Sequence, residues 1–133
     1  MTKIAVYGTL RRGFGNYNWL LLEQEFLGEQ TISLPFKMIS LGGFPGLIRS
    51  KENHDSVIEV FEIDEETFRS ADSLEGYPHF YNRKLIDTEF GQAWIYYLAD
   101  GYYDQTRAAV PNGDWKQFIE KSRNKNHEIL SQD

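Results

Sequence analysis

Apolar positions along the chain alternate between a two-residue and a three-to-four-residue rhythm, with Gly, Pro, Asn and Asp at the changes. Residues 3–7 are rich in β-formers and read as a buried strand ending at Gly8. After the loop Arg11-Arg12-Gly13-Phe14-Gly15, Asn16 or Asn18 caps an expected helix that runs to about Phe26. Leu20, Leu21 and Leu22 supply its buried side, and Gly28 stops it. Residues 31–34 and 36–41 form two expected strand segments split by Pro35. The Gly/Pro run LGGFPG at 41–46 is a loop, and 47–49 a short strand.

A polar turn at 51–56 leads to the strand VIEVFEI at 57–63. Asp64 is an N-cap, with Glu65 and Glu66 in the first turn, where the helix dipole favours them. Phe68, Ala71 and Leu74 fall at helical spacing, and Gly76 with Pro78 ends that helix. RKLIDTEF and QAWIYYL, on either side of Gly91, read as a hairpin. Asp114 opens a last helix with Trp115, Phe118 and Ile119 facing inward, followed by a frayed polar tail beyond Lys121. Six or seven strands interleaved with three helices predict one compact α/β or α+β domain, with a mixed sheet or small barrel.

Composition narrows the function classes. At 133 residues the chain is long enough for a real core. The net charge of −6 argues against a phosphate-backbone binder, so no nucleic acid partner is expected. There is no cysteine, which removes disulfides, thiolate metal sites and a thiol nucleophile. The N-terminus lacks the apolar core of a secretion signal, and the longest plain apolar run, 19–22, is too short to span a bilayer. A cytoplasmic protein without a membrane partner is expected. Aromatic residues reach 15%, which fits a stacked ligand pocket or simply bulky core filling.

The loop after the first strand, YGTLRRG, has the G-x-x-x-x-G spacing of a P-loop at Gly8 and Gly13. Phe14 and Gly15 stand where that motif needs Lys and Ser or Thr, so it fails. The dinucleotide fingerprint fails too, because Asn18 replaces its third glycine. Two readings stay open: a carboxylate site built from the turn's own amides, or a plain tight exit from a strand with solvated arginines.

Glu75 raises a second question. It lies at the end of a helix, where the dipole and unpaired carbonyls disfavour a carboxylate, and Tyr77, Phe80 and Tyr81 can desolvate it. Both effects push a carboxyl pKa upward, towards general acid–base use. The plain alternative is an exposed glutamate at a frayed helix end. Other candidates are weaker. His54, His79 and His127 have no ligand spacing, Ser70 and Ser73 lack a nucleophile-elbow setting, and EIDEE at 62–66 lacks the pattern of a calcium loop. Arg11 and Arg12 guide an anionic ligand or offset the surrounding acid.

Two segments together resemble the gamma-glutamylcyclotransferase-like proteins. One is V-Y-G-T-L followed by Arg11, Gly13 and Asn16; the other is L-E-G-Y-P-x-x-Y-x-R at 74–83. LGGFPGL at 41–47, GQAWIYYL and GDW follow the same order, so the likeness covers about residues 3–115. The resemblance implies an α+β fold, a small mixed β-barrel flanked by about three helices, with a cavity at one end. It implies that Tyr7, Gly8, Thr9 and Leu10 bind substrate, that Glu75 is the acid–base residue, and that Tyr81 lines the pocket. Arg83 matches the motif arginine, as a structural ion pair or a ligand contact. The implied reaction turns a γ-glutamyl compound into 5-oxoproline and a free amine, with no metal and no cofactor. The YGTL form resembles the γ-glutamylamine branch more than the branch with YGSN. The alternative is a non-catalytic module that binds a small carboxylated metabolite.

Overall fold

The computed structural model describes residues 1–100 and 107–131, with side chains to residue 124. His127 and residues 132–133 of the expected tail therefore lie outside the described side chains. Five strands form one mixed sheet in the order β2-β3-β1-β5-β4. They are β1 (Thr2–Val6), β2 (Glu25–Ser40), β3 (Pro45–Ile63), β4 (Tyr81–Thr88) and β5 (Gly91–Leu98). Among the described residues the α-helices are α1 (Gly15–Leu20), α2 (Glu65–Glu75) and α3 (Trp115–Ser131).

The central strand β1 pairs antiparallel with β3, from Thr2 opposite Ile63 to Val6 opposite Glu59, and parallel with β5. Its alternation therefore feeds two cores. Ile4 and Val6 pack with Leu20, Leu21, Phe61, Ala71 and Leu98 on the side of α1 and α2. Ala5 and Tyr7 pack with Phe36, Val60, Ile95 and Trp115 on the side of α3. With both faces covered, β1 carries no polar side chain from Ile4 to Val6, which is why it reads as a plain apolar run. Trp115 is fully buried beneath α3, whose first turn is capped by Asp114 Oδ1 accepting from Gln117 N–H at 3.1 Å.

The α+β class holds, with a correction to the barrel. The sheet is not closed, and β2 and β4 remain its edges. The β4–β5 turn bridges them, with Glu89 N–H donating to the Gln30 side chain at 3.0 Å. Strand count also differs, because tertiary pairing joins what polar residues divide. β3 runs unbroken through the polar stretch at 51–56, which is not a turn. Leu34 pairs with His54 and Phe36 with Arg49, so residues 50–53 bulge out opposite Pro35. Proline supplies no N–H, and a bulge is where a strand tolerates it.

α1 ends at Leu20, and Phe26 already belongs to β2. Phe14, not an asparagine, precedes its first turn. Gly28 sits at a register shift of β2 instead of stopping a helix. Leu22 is exposed, while Leu20 and Leu21 are buried. Past Lys121, α3 continues to Ser131 where a frayed tail was expected.

Candidate active site

The loop that follows β1 is folded by its own hydrogen bonds. Arg11 N–H donates to Gly8 C=O at 3.0 Å, and Tyr17 N–H to Thr9 C=O at 3.2 Å. Asn16 latches it from α1, with Nδ2 donating to Thr9 Oγ1 at 2.8 Å. The N–H groups of Gly8, Thr9 and Leu10 find no acceptor among the described residues. Gly8 has no alternative here: a Cβ would lie 2.8 Å from the Pro45 ring.

The arginines that follow are not solvated. Arg11 is 2% exposed, and its guanidinium meets Glu59 at 2.8 Å, Glu29 at 3.0 Å and Asp114 at 3.2 Å. Burial opposes its charge, yet the Glu59 and Asp114 carboxylates more than offset that and keep it protonated. Arg12 N–H and Nε both donate to the other Glu59 oxygen, and its guanidinium lies 3.6 Å over the Phe26 ring. This cluster pins the loop's far end to β3 and to the head of α3.

On the opposite wall, α2 begins at Asp64, whose Oδ1 accepts from Thr67 N–H at 2.7 Å. It ends where Gly76 enters the left-handed region at φ 65°, ψ 34°. Gly76 N–H reaches Ser73 C=O at 3.1 Å and Tyr77 N–H reaches Asp72 C=O at 2.9 Å, a Schellman closure. The geometry needs a glycine after Glu75 and leaves Glu75 on the final turn. Asp72, one turn earlier, is gripped by Arg83 at 3.0 Å and by the Tyr96 hydroxyl at 2.7 Å. Arg83 is therefore a structural ion pair, sandwiched by Tyr77 and Trp94.

Between these walls lies a cavity of about 360 Å³. Tyr7, Gly8, Thr9, Leu10, Glu75 and Tyr81 all line it, so the six residues that the resemblance implies converge there, whereas Arg11, Arg12 and Arg83 are engaged in ion pairs. Phe44, Pro45, Leu74 and Tyr96 also line it and were not singled out as site residues, while Phe80, expected to desolvate Glu75, does line it. Leu74, at helical spacing from Ala71, is exposed and lines the cavity. His79 is exposed and does not line the cavity.

The tyrosine hydroxyls are committed elsewhere. Tyr7 donates to Tyr96 C=O and Tyr81 to Pro45 C=O, each at 2.7 Å. Burial first, and then the Glu75 charge, push the Tyr81 pKa up, so it stays a neutral wall. Half-buried Glu75 has neither a hydrogen bond nor an ion pair among the described residues, and desolvation pushes its pKa up to about 7. A carboxyl so poised can accept and return a proton near neutrality. Among the described residues no His, Asp and Glu group forms a metal-ligating cluster, and no helix is long and apolar enough to cross a membrane.

A concave, largely apolar site holding one desolvated carboxyl has the form of a small-molecule enzyme site. The chain belongs to the AIG2-like gamma-glutamyl cyclotransferase family, which it matches over residues 4–117. It is 38% identical over 117 residues to a Vibrio cholerae protein that carries a provisional gamma-glutamylcyclotransferase name; the match covers 87% of this chain and 96% of that one. It is 34% identical over 116 residues to the gamma-glutamylcyclotransferase family protein YtfP of Escherichia coli K12, covering 85% and 95%. The crystal structure of protein PH0828 from Pyrococcus horikoshii superposes with a TM-score of 0.76 at 26% identity, covering 93% of this chain and 98% of that one.

Proposed function

We propose that this protein is a γ-glutamylamine cyclotransferase that releases 5-oxoproline and a free amine. The observation that carries the reading is the shared cavity: an unpaired Glu75 of raised proton affinity faces, across one small space, three amides without acceptors. The N–H groups of Gly8, Thr9 and Leu10 bind the glutamyl carboxylate or the oxyanion on the γ-carbonyl carbon. Tyr7 and Tyr81 hold the chain folded so that its α-nitrogen reaches its own γ-carbonyl, an intramolecular attack that proximity favours.

The protons then balance through one group. The α-ammonium gives up two protons as it becomes the lactam N–H, and the departing nitrogen gains two as it leaves as an ammonium ion. Glu75 carries them, taking a proton from the attacking nitrogen and returning it to the leaving one. Incubation with γ-glutamyl-ε-lysine and related γ-glutamylamides, followed by assay of 5-oxoproline, tests the reaction. Glu75→Gln lowers kcat by at least about 100-fold, the usual scale of acid–base catalysis. Undiminished turnover by that variant removes Glu75 from the mechanism.

A further inference from the structure

We infer that Asp72, held from β4 by Arg83 and from β5 by Tyr96, is a positioning residue for Glu75. It fixes the last turn of α2 so that the Glu75 carboxyl stays within the cavity. This rests on the reading of Glu75 as the proton-carrying group and adds what holds that group in place.

With no hydrogen bond or ion pair of its own among the described residues, the Glu75 side chain takes its place from the backbone that carries it. That backbone is clamped on both sides. Before Glu75, the Asp72 carboxylate accepts from Arg83 Nε at 3.0 Å, from Arg83 Nη2 at 3.3 Å and from the Tyr96 hydroxyl at 2.7 Å. After Glu75, Tyr77 N–H returns to Asp72 C=O at 2.9 Å. The Tyr77 ring then covers the Arg83 guanidinium, 4.1 Å from centroid to carbon, with Trp94 at 4.4 Å. Asp72 thus ties its side chain to the sheet and its main chain to the turn that follows Glu75.

The socket for this carboxylate comes from strand register. Arg83 and Tyr96 stand directly opposite each other in the β4–β5 pair, so both side chains leave the same face of the sheet. Tyr96 packs there with Ala71 of α2 and also lines the cavity, so the socket and the cavity share a wall. A guanidinium fork and a hydroxyl on one carboxylate are charge-assisted bonds of fixed direction. Desolvation causes the raised Glu75 pKa of about 7, so the titration midpoint of Glu75 reports where its carboxyl sits. The ionisable groups around it are Tyr7, Tyr81 and Tyr96 across the cavity and the Asp72–Arg83 pair one helical turn back. Gly8 to Leu10 of the β1 loop, Asn16 of α1 and Phe44 bring no charge.

The test is Arg83→Met, with the Glu75 midpoint read by side-chain carboxyl NMR. Loss of the cation leaves Asp72 as a bare anion, which by charge alone raises the midpoint. Release of the turn into water lowers it instead, and the expected midpoint is below about 6. In the cyclotransferase assay kcat is expected to fall at least about tenfold while KM changes less than about threefold, the split produced by misplacing a proton-carrying group by about 1 Å. Tyr96→Phe keeps the ring and the ion pair and is expected to move the midpoint and kcat in the same direction by less. Trp115→Ala, which weakens the opposite face, is expected to leave the midpoint at about 7. A midpoint at or above about 7 in both Arg83→Met and Tyr96→Phe, whatever melting temperature is lost, overturns the inference and leaves the cluster with a structural role alone. The midpoint is read without turnover, so a wild type inactive on every γ-glutamyl compound overturns the proposed reaction, and the midpoints still decide the positioning.

Discussion

Glu75 is costly to the fold for the same reason that it is useful. Its pKa is raised by desolvation from 4.5 to about 7, so the folded chain holds that proton more tightly than the unfolded chain. Below about pH 4.5 the group is protonated in both states and carries no penalty. As pH rises from there to about 7, stability is lost, on the order of 3 kcal/mol if the whole shift is realised. Glu75→Gln is therefore expected to melt at least about 3 °C above the wild type at pH 8, with the gap closing near pH 4.5, as scanning calorimetry checks. Activity runs the opposite way. The base form is the carboxylate, so kcat/KM rises with pH through about 7, and a rate profile flat from pH 5.5 to 8 contradicts that role. The site was legible at this scale because its signals are local. Glu75 sits before a glycine that ends a helix, and aromatic residues lie within six positions of it.

At the scale of elements, the ion cluster around Arg11 joins four pieces of the chain: the β1 loop, β2 through Glu29, β3 through Glu59, and the head of α3 through Asp114. Nothing in the spacing of RRG announced it, because its partners lie far along the chain. Glu59 is 0% exposed, so removing Arg11 leaves a buried carboxylate short of its closest cation. Arg11→Ala is expected to lower unfolding stability in urea by about 3–5 kcal/mol. A loss below about 1 kcal/mol shows that the cluster does not hold the loop. The same non-locality explains the misjudged strands. The polar residues 51–56 have the composition of a turn, yet both flanks of this stretch pair with β2, which overrides local preference. The helix caps at Asp64 and Asp114, the Gly76 stop and the β4–β5 hairpin were all readable, since each depends on neighbours a few residues away.

For the molecule as a whole, the site is a product of topology. β1 is the strand where antiparallel and parallel pairing meet, and its parallel neighbour β5 runs in the same direction, so the loop after β1 emerges beside Tyr96 near the end of β5. α2 packs on that face through Ala71, which brings the end of the helix to the same place. Tyr96 could not be found from sequence, because a parallel partner leaves no local trace. On the opposite face of the sheet α3 packs through Trp115, the largest fully buried side chain. Trp115→Ala is expected to lower stability by about 3–5 kcal/mol in urea unfolding.

The central claim is that the β1-loop amides and Glu75 grip one guest. Titration of the isotope-labelled protein with 5-oxoproline, followed by backbone amide and Glu side-chain carboxyl NMR, tests it most directly. The account predicts that the largest amide shifts fall on Gly8, Thr9 and Leu10, accompanied by a change in the Glu75 titration midpoint from its free value near 7. Saturable binding that leaves those amides and the Glu75 carboxyl unmoved, with its shifts clustered elsewhere on the sheet, contradicts it.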